Sequence, residues 1–234
     1  MQYKFGADNA IVAGDALLFD LFAALAECHG TGARAERIVA ALEVIARCGI
    51  DLCRGQSLEA ELRERMDLDL GGYLTMVKLK TAALFRGVCE CGALLAGGDQ
   101  AMVRALGAYA ENLGCAFQIH DDLMSYTLDA DAMDTSGTSD IRIGRLTLPV
   151  ILACQTSSSE DRAAIMEVLA GEGDPIIRRD TLVSILDHTG ALVSASRVAR
   201  EYAENAIAAL GVLPATASRD RLRGLAQAAI DRDR

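Results

Sequence analysis

The sequence has no basic run, no paired cysteine spacing and no basic leader passing into an apolar core and cleavage site. Each absence excludes a class. With a net charge of −10, the missing basic run argues against a broad surface for nucleic acid or anionic lipid, while leaving room for a local basic pocket. The seven cysteines are odd in number and scattered, the pattern of reduced thiols in a cytosol rather than of a disulfide framework. Cys89 and Cys91 stand one residue apart and would point to different faces of a helix, a poor metal pair. The missing leader gives no sign of secretion, so the expected location is the cytoplasm.

Alternating strands, linkers, low-complexity tracts and internal repeats are missing too. β-Branched runs are short, whereas Ala and Leu recur at helical spacing, and the predicted fold is all-α. The periodicity predicts helices over residues 10–29, 34–54, 70–96, 99–127, 147–156, 158–171, 175–188, 191–211 and 217–231. With 234 residues and 51% apolar content, one helical domain over 1–234 is expected, a compact bundle rather than a solenoid. The stretch "AIVAGDALLFDLFAALAECHG" approaches membrane-spanning length but carries Asp15 and Asp20, which are costly in hydrocarbon. It is expected to be a buried helix, central in the bundle or across a subunit interface, and not a membrane span.

One polar excursion breaks the helical pattern. Residues 128–144, "LDADAMDTSGTSDIRIG", form a loop of the kind that caps a site, and Pro149 suits the first turn of the next helix. Just before the loop, Gln118, Asp121, Asp122 and Ser125 recur at three, four and seven residues, so they share roughly one helix face. Magnesium commonly takes one or two carboxylates together with substrate phosphate oxygens and water, and this cluster supplies that partial set. A solvated pair of surface aspartates has the same local pattern.

Cationic groups provide the context. Lys80 and Thr81 interrupt an apolar helix, and a buried lysine requires an anionic partner. Arg145 adjoins the loop, and Gly55–Gln56 is read as the end of an earlier helix. Each also has a structural reading: Lys80 with its amine at the surface, Arg145 as a helix cap, Gln56 bonded to backbone. Phe85 and Phe117 are candidate cavity walls or ordinary core.

Taken in order, "FGADNAIVAGDALL", "RGQSLEAE", "KTAALFRGVCECGALLAGG", "FQIHDD" and "GTSDIRIGRLTLPVILA" resemble the trans-isoprenyl diphosphate synthase family, the polyprenyl synthetases. The resemblance implies an antiparallel helix bundle around a central cavity, usually dimeric. In it an allylic prenyl diphosphate ionises with Mg2+ and the cation is attacked by isopentenyl diphosphate. Carried over by position, Asp121 and Asp122 match the start of the second aspartate-rich motif and are the implied metal ligands. Lys80 and Thr81 match the pair on the allylic diphosphate, and Gln118, Asp140 and Arg145 complete the diphosphate set. Lys80, Asp121 and Asp122 are the implied catalytic residues, and His120 an outer neighbour.

The departures matter as much. The family's first aspartate-rich motif and the basic residues for isopentenyl diphosphate are not in these 234 residues; Met1 falls near where that motif's trailing segment would lie. Neither Asp15 with Asp20 nor Asp67 with Asp69 replaces it. Ser125 stands where the family has a third aspartate, Thr135 where it has a loop lysine, and Arg145 where lysine is common. Each lost charge-assisted contact weakens diphosphate binding by roughly 1.5–3 kcal/mol, tenfold or more. Three expectations follow. The chain is one subunit of a split or heteromeric synthase whose partner supplies the missing motif. Alternatively it is a self-contained cyclase or a prenyltransferase with another acceptor, or else a non-catalytic regulatory subunit.

Overall fold

The computed structural model describes residues 2–127, 145–171 and 174–231. Helical periodicity becomes helix throughout: α1 (Gln2–Phe5), α2 (Ala7–Glu27), α3 (Ala35–Arg65), α4 (Leu70–Val77), a π-helical turn (Lys78–Ala82), α5 (Ala83–Ala96) and α6 (Gln100–Thr127). After the loop come α7 (Leu148–Thr156), α8 (Ser159–Ala170), α9 (Pro175–His188), α10 (Ala191–Ala209), a 3-10 turn (Leu210–Val212) and α11 (Ala217–Ala228). No strand occurs among the described residues. Side-chain caps set several starts: Asp69 accepts from the Gly72 amide at 2.7 Å, Asp174 from that of Ile176 at 2.8 Å and Ser158 from that of Asp161 at 3.1 Å. Each satisfies an amide that the helix leaves unpaired. Asp69 therefore has a local structural role.

The centre of the bundle is α6, with α10 along one side and α5 along another, and α3 beyond α5. Ala195, Ala199, Ala203 and Ala206 are fully buried along α10, so its small face lies close on α6. The main core gathers Tyr73, Val77, Ile119, Leu148, Ile151 and Leu186. A second cluster joins Tyr109 and Ala110 of α6 to Ala206, Leu210 and Ala226. Arg86 of α5 spans Asp51 of α3 at 3.1 Å and Glu111 of α6 at 3.3 Å, tying the three helices on a partly exposed face.

Three features differ from expectation. First, α3 does not end at residue 54 but continues to Arg65. Gly55 is buried mid-helix, and a Cβ there would lie 2.3 Å from the Lys80 backbone nitrogen. The glycine is a point of close approach, not a terminator. Second, residues 70–96 are interrupted by the π-turn, which carries Lys80 and Thr81. Such bulges inside helices are frequent at functional sites. Third, α2 is not buried within the chain: Leu25 is its buried residue, while Ile11, Val12, Leu17, Leu18 and Phe19 are more than half exposed. By length and composition α2 could cross a membrane. Its apolar residues surround the helix rather than forming one stripe, so the packing of Leu21 and Leu25 on α3 and α5 covers little of it.

Candidate active site

The buried lysine finds its anion in Glu59. Because α3 runs past Gly55, Glu59 is carried one turn further, opposite the π-turn. One of its oxygens accepts from Lys80 Nζ and, at 3.0 Å, from Gln56 Nε2. Its other oxygen accepts from Arg145 Nε at 3.0 Å and pairs with the Nη2 of the same guanidinium at 2.9 Å. Lys80, Glu59 and Arg145 are 20%, 18% and 24% exposed, so the triad is screened from bulk water on most sides. Burial alone raises the Glu59 pKa, but the Lys80 hydrogen bond and the Arg145 charge outweigh it. The carboxyl is held below its ordinary value, and Glu59 is an anion at neutral pH.

The three residues line a cavity of about 330 Å³ together with Gln56, Tyr73 and an apolar wall that includes Leu62 and Met76. Tyr73 links this cavity to the paired aspartates. Its hydroxyl donates to Asp122 Oδ2 at 2.7 Å, while Gln118 Nε2 donates to Asp122 Oδ1 at 2.9 Å. Thr81 Oγ1 in turn donates to Gln118 Oε1 at 2.8 Å. Asp122 is 3% exposed, and a buried carboxylate is tolerable only when hydrogen-bonded. Burial, then the adjacent Asp122 charge, pushes the Tyr73 hydroxyl well above its usual pKa, which keeps it a donor.

The structure therefore brings Lys80 and Arg145 together through Glu59, and Thr81, Gln118 and Asp122 together through hydrogen bonds. Asp121 separates from its neighbour: it is exposed, and no protein partner holds it among the described residues. The two aspartates differ because one faces the Tyr73 side of α6 and the other lies at its edge. Ser125, buried, follows Asp122 on the inner face. Asp140, Thr135 and the capping loop 128–144 lie outside the described residues. Phe85 joins the Tyr109 cluster and lies 5.5 Å from Phe117, centroid to centroid; neither lines the cavity.

No three acids, histidines or cysteines stand together as a metal cage among the described residues. Magnesium does not require one when substrate phosphates and water complete its shell. Asp121 fits as a carboxylate open to the ion; Asp122 has both oxygens engaged. Cys91 and Cys115 are ill suited to thiol chemistry: burial pushes them to about 11 and about 12, so neither is a thiolate at neutral pH. Glu59 and Tyr73 were not singled out from sequence. The signals for them were the lysine's need for an anion and the Gln56–Glu59 spacing of one helical turn.

The all-α bundle is the fold of solved isoprenyl diphosphate synthases. A polyprenyl synthase from Caulobacter crescentus, complexed with calcium and isoprenyl diphosphate, superposes with a TM-score of 0.88 at 29% identity over 99% of this chain and 68% of that one. The short chain isoprenyl diphosphate synthase of Methanothermobacter thermautotrophicus is 31% identical over 98% of this chain and 69% of its own length. The geranylgeranyl diphosphate synthase of Sulfolobus acidocaldarius is 33% identical over 90% of this chain and 63% of its own. The chain thus spans about two thirds of these curated relatives. The Polyprenyl synthetase family model matches residues 1–182, and the chain belongs to that family, whose members are prenyltransferases.

Proposed function

We propose that the cavity takes the diphosphate of an allylic prenyl diphosphate. Lys80, Thr81, Gln118 and Arg145 are its protein donors, Asp140 of the loop stands near the diphosphate, and Asp121 is the carboxylate on the magnesium side. The observation that carries this reading is the convergence of Lys80 and Arg145, from elements 65 residues apart, on one cavity with the Thr81–Gln118–Asp122 relay behind it. Charge builds on the departing diphosphate as its carbon–oxygen bond breaks, and fixed cations aimed at that charge stabilise the transition state. When bound, magnesium would supply Lewis-acid neutralisation of the same oxygens. Tyr73 and Gln118 hold Asp122 in place, and the apolar wall of the cavity keeps water from the allylic cation.

The chain acts in this reading as one subunit of an oligomeric, split synthase. Two observations support it. Asp121 is exposed and held by no described residue, a carboxylate open to a metal site shared with a second chain. The exposed apolar residues of α2 support a protein neighbour, since Asp15 and Asp20 are costly in lipid. Seven free thiols suit a reducing cytoplasm.

The test is turnover of labelled allylic diphosphate with magnesium, by the chain alone, with isopentenyl diphosphate, and mixed with a candidate second chain. Chain elongation on mixing is expected, with Asp121→Ala abolishing it and Lys80→Ala lowering it about 100-fold. Normal turnover by Asp121→Ala would reject the site. Diphosphate release by the isolated chain without elongation would favour cyclase chemistry.

A further inference from the structure

The carboxylate between the two cations raises a question that the diphosphate reading leaves open. Glu59 accepts from Lys80, Gln56 and Arg145 and is ion-paired with Arg145 Nη2, so it engages both cations of the proposed diphosphate set. An anion already sits where the incoming anion must make its contacts. We propose that Glu59 is an internal counter-anion: it holds Lys80 and Arg145 in position while the site is empty, and yields them to the diphosphate on binding. This inference rests on the cavity being the diphosphate site.

Several features of the geometry argue for exchange rather than a permanent bridge. Glu59 keeps a third partner in Gln56, at 3.0 Å on its own helix, so it retains a hydrogen bond after losing both cations. The triad borders open space, the 330 Å³ cavity, so diphosphate oxygens can reach the cations without disturbing the core. Arg145 turns Nε and Nη2 of one planar fork to the same carboxylate oxygen, and that fork can move as a unit to a phosphate. In the empty site the same anion removes the mutual repulsion of two half-buried cations. Glu59 is thus a positioning residue whose presence lowers affinity for anions that arrive without metal.

The experiment is calorimetric titration of the full chain with inorganic pyrophosphate in chelator, comparing wild type, Glu59→Gln and Lys80→Gln. The amide of Glu59→Gln keeps the shape and one acceptor while removing the charge. Glu59→Gln is expected to bind metal-free pyrophosphate at least about tenfold more tightly than wild type, and Lys80→Gln more weakly. Without ligand, Glu59→Gln should melt at lower temperature, with pyrophosphate closing the gap. If Lys80→Gln weakens binding while Glu59→Gln binds equally or less tightly than wild type, the counter-anion proposal is overturned and the diphosphate site stands. If Lys80→Gln binds as wild type does, the cavity is not the site and both readings fall. A measurement on unmodified protein guards against misfolding of the variant: the Glu59 carboxyl 13C signal should titrate at higher pH with pyrophosphate bound, and an unchanged midpoint overturns the proposal.

Discussion

Single side chains in this molecule act through the partners they hold. Asp122 is buried between Tyr73 and Gln118, and removing one donor leaves a buried carboxylate oxygen short of a partner. Tyr73→Phe should therefore lower unfolding free energy by about 1–3 kcal/mol in urea titration, a loss that an exposed tyrosine would not show. Glu59 makes a pH prediction of definite sign. Its folded pKa is depressed, so its contribution is complete above the unfolded value of about 4.3 and fades as pH falls through the lower folded value. The Tm difference between wild type and Glu59→Gln should be widest near neutrality and shrink in the acid range below that unfolded value. The paired aspartates became a candidate site only when their spacing was joined to Lys80, Thr81 and Arg145 and to the family resemblance, because a solvated surface pair has the same spacing. Their division into one exposed and one buried carboxylate was not, because it depends on Tyr73, 49 residues away in the chain.

At the scale of elements, the π-turn is the part that positions the site. It is clamped from two sides by glycines: Gly55 of α3 against the Lys80 backbone, and Gly114 of α6, where a Cβ would lie 2.6 Å from Ala82 Cα. Both obstacles are backbone atoms that cannot swing aside. Gly114→Ala should force the turn away from α6 and destabilise the fold by about 1–3 kcal/mol. It should also weaken pyrophosphate binding, since Lys80 and Thr81 ride on the displaced turn; unchanged binding and stability would show that the turn has slack. Most helices were legible because their apolar spacing and caps agree, as at Asp174–Pro175 and Ser158. The end of α3 was misjudged because glycine is both a poor helix residue and the residue that permits close approach. Sequence shows the first property, and only packing shows the second. That misjudgement also hid Glu59, which belongs to the site only if α3 continues.

For the whole molecule, α2 is the feature that the chain by itself does not satisfy. Its length and apolar character were plain in the sequence. Burial was inferred from composition, but the helix packs on α3 and α5 only through residues such as Leu25 and leaves Leu17 at 67% and Phe19 at 70% exposure. The oligomeric reading predicts that the chain sediments as a species larger than 24.8 kDa and that Leu17→Glu with Phe19→Glu shifts it toward monomer. A wild-type chain that is already monomeric would contradict that reading for homo-oligomers. The central claim, that the cationic cavity and Asp121 together take a metal-bound diphosphate, is tested most directly by a crystal soaked with magnesium and a non-hydrolysable allylic diphosphate analogue. Predicted is a diphosphate on Lys80 and Arg145, Glu59 released from both, and the metal on the Asp121 carboxylate. A ligand bound elsewhere, with Asp121 facing bulk solvent and the Glu59 triad intact, would contradict the account.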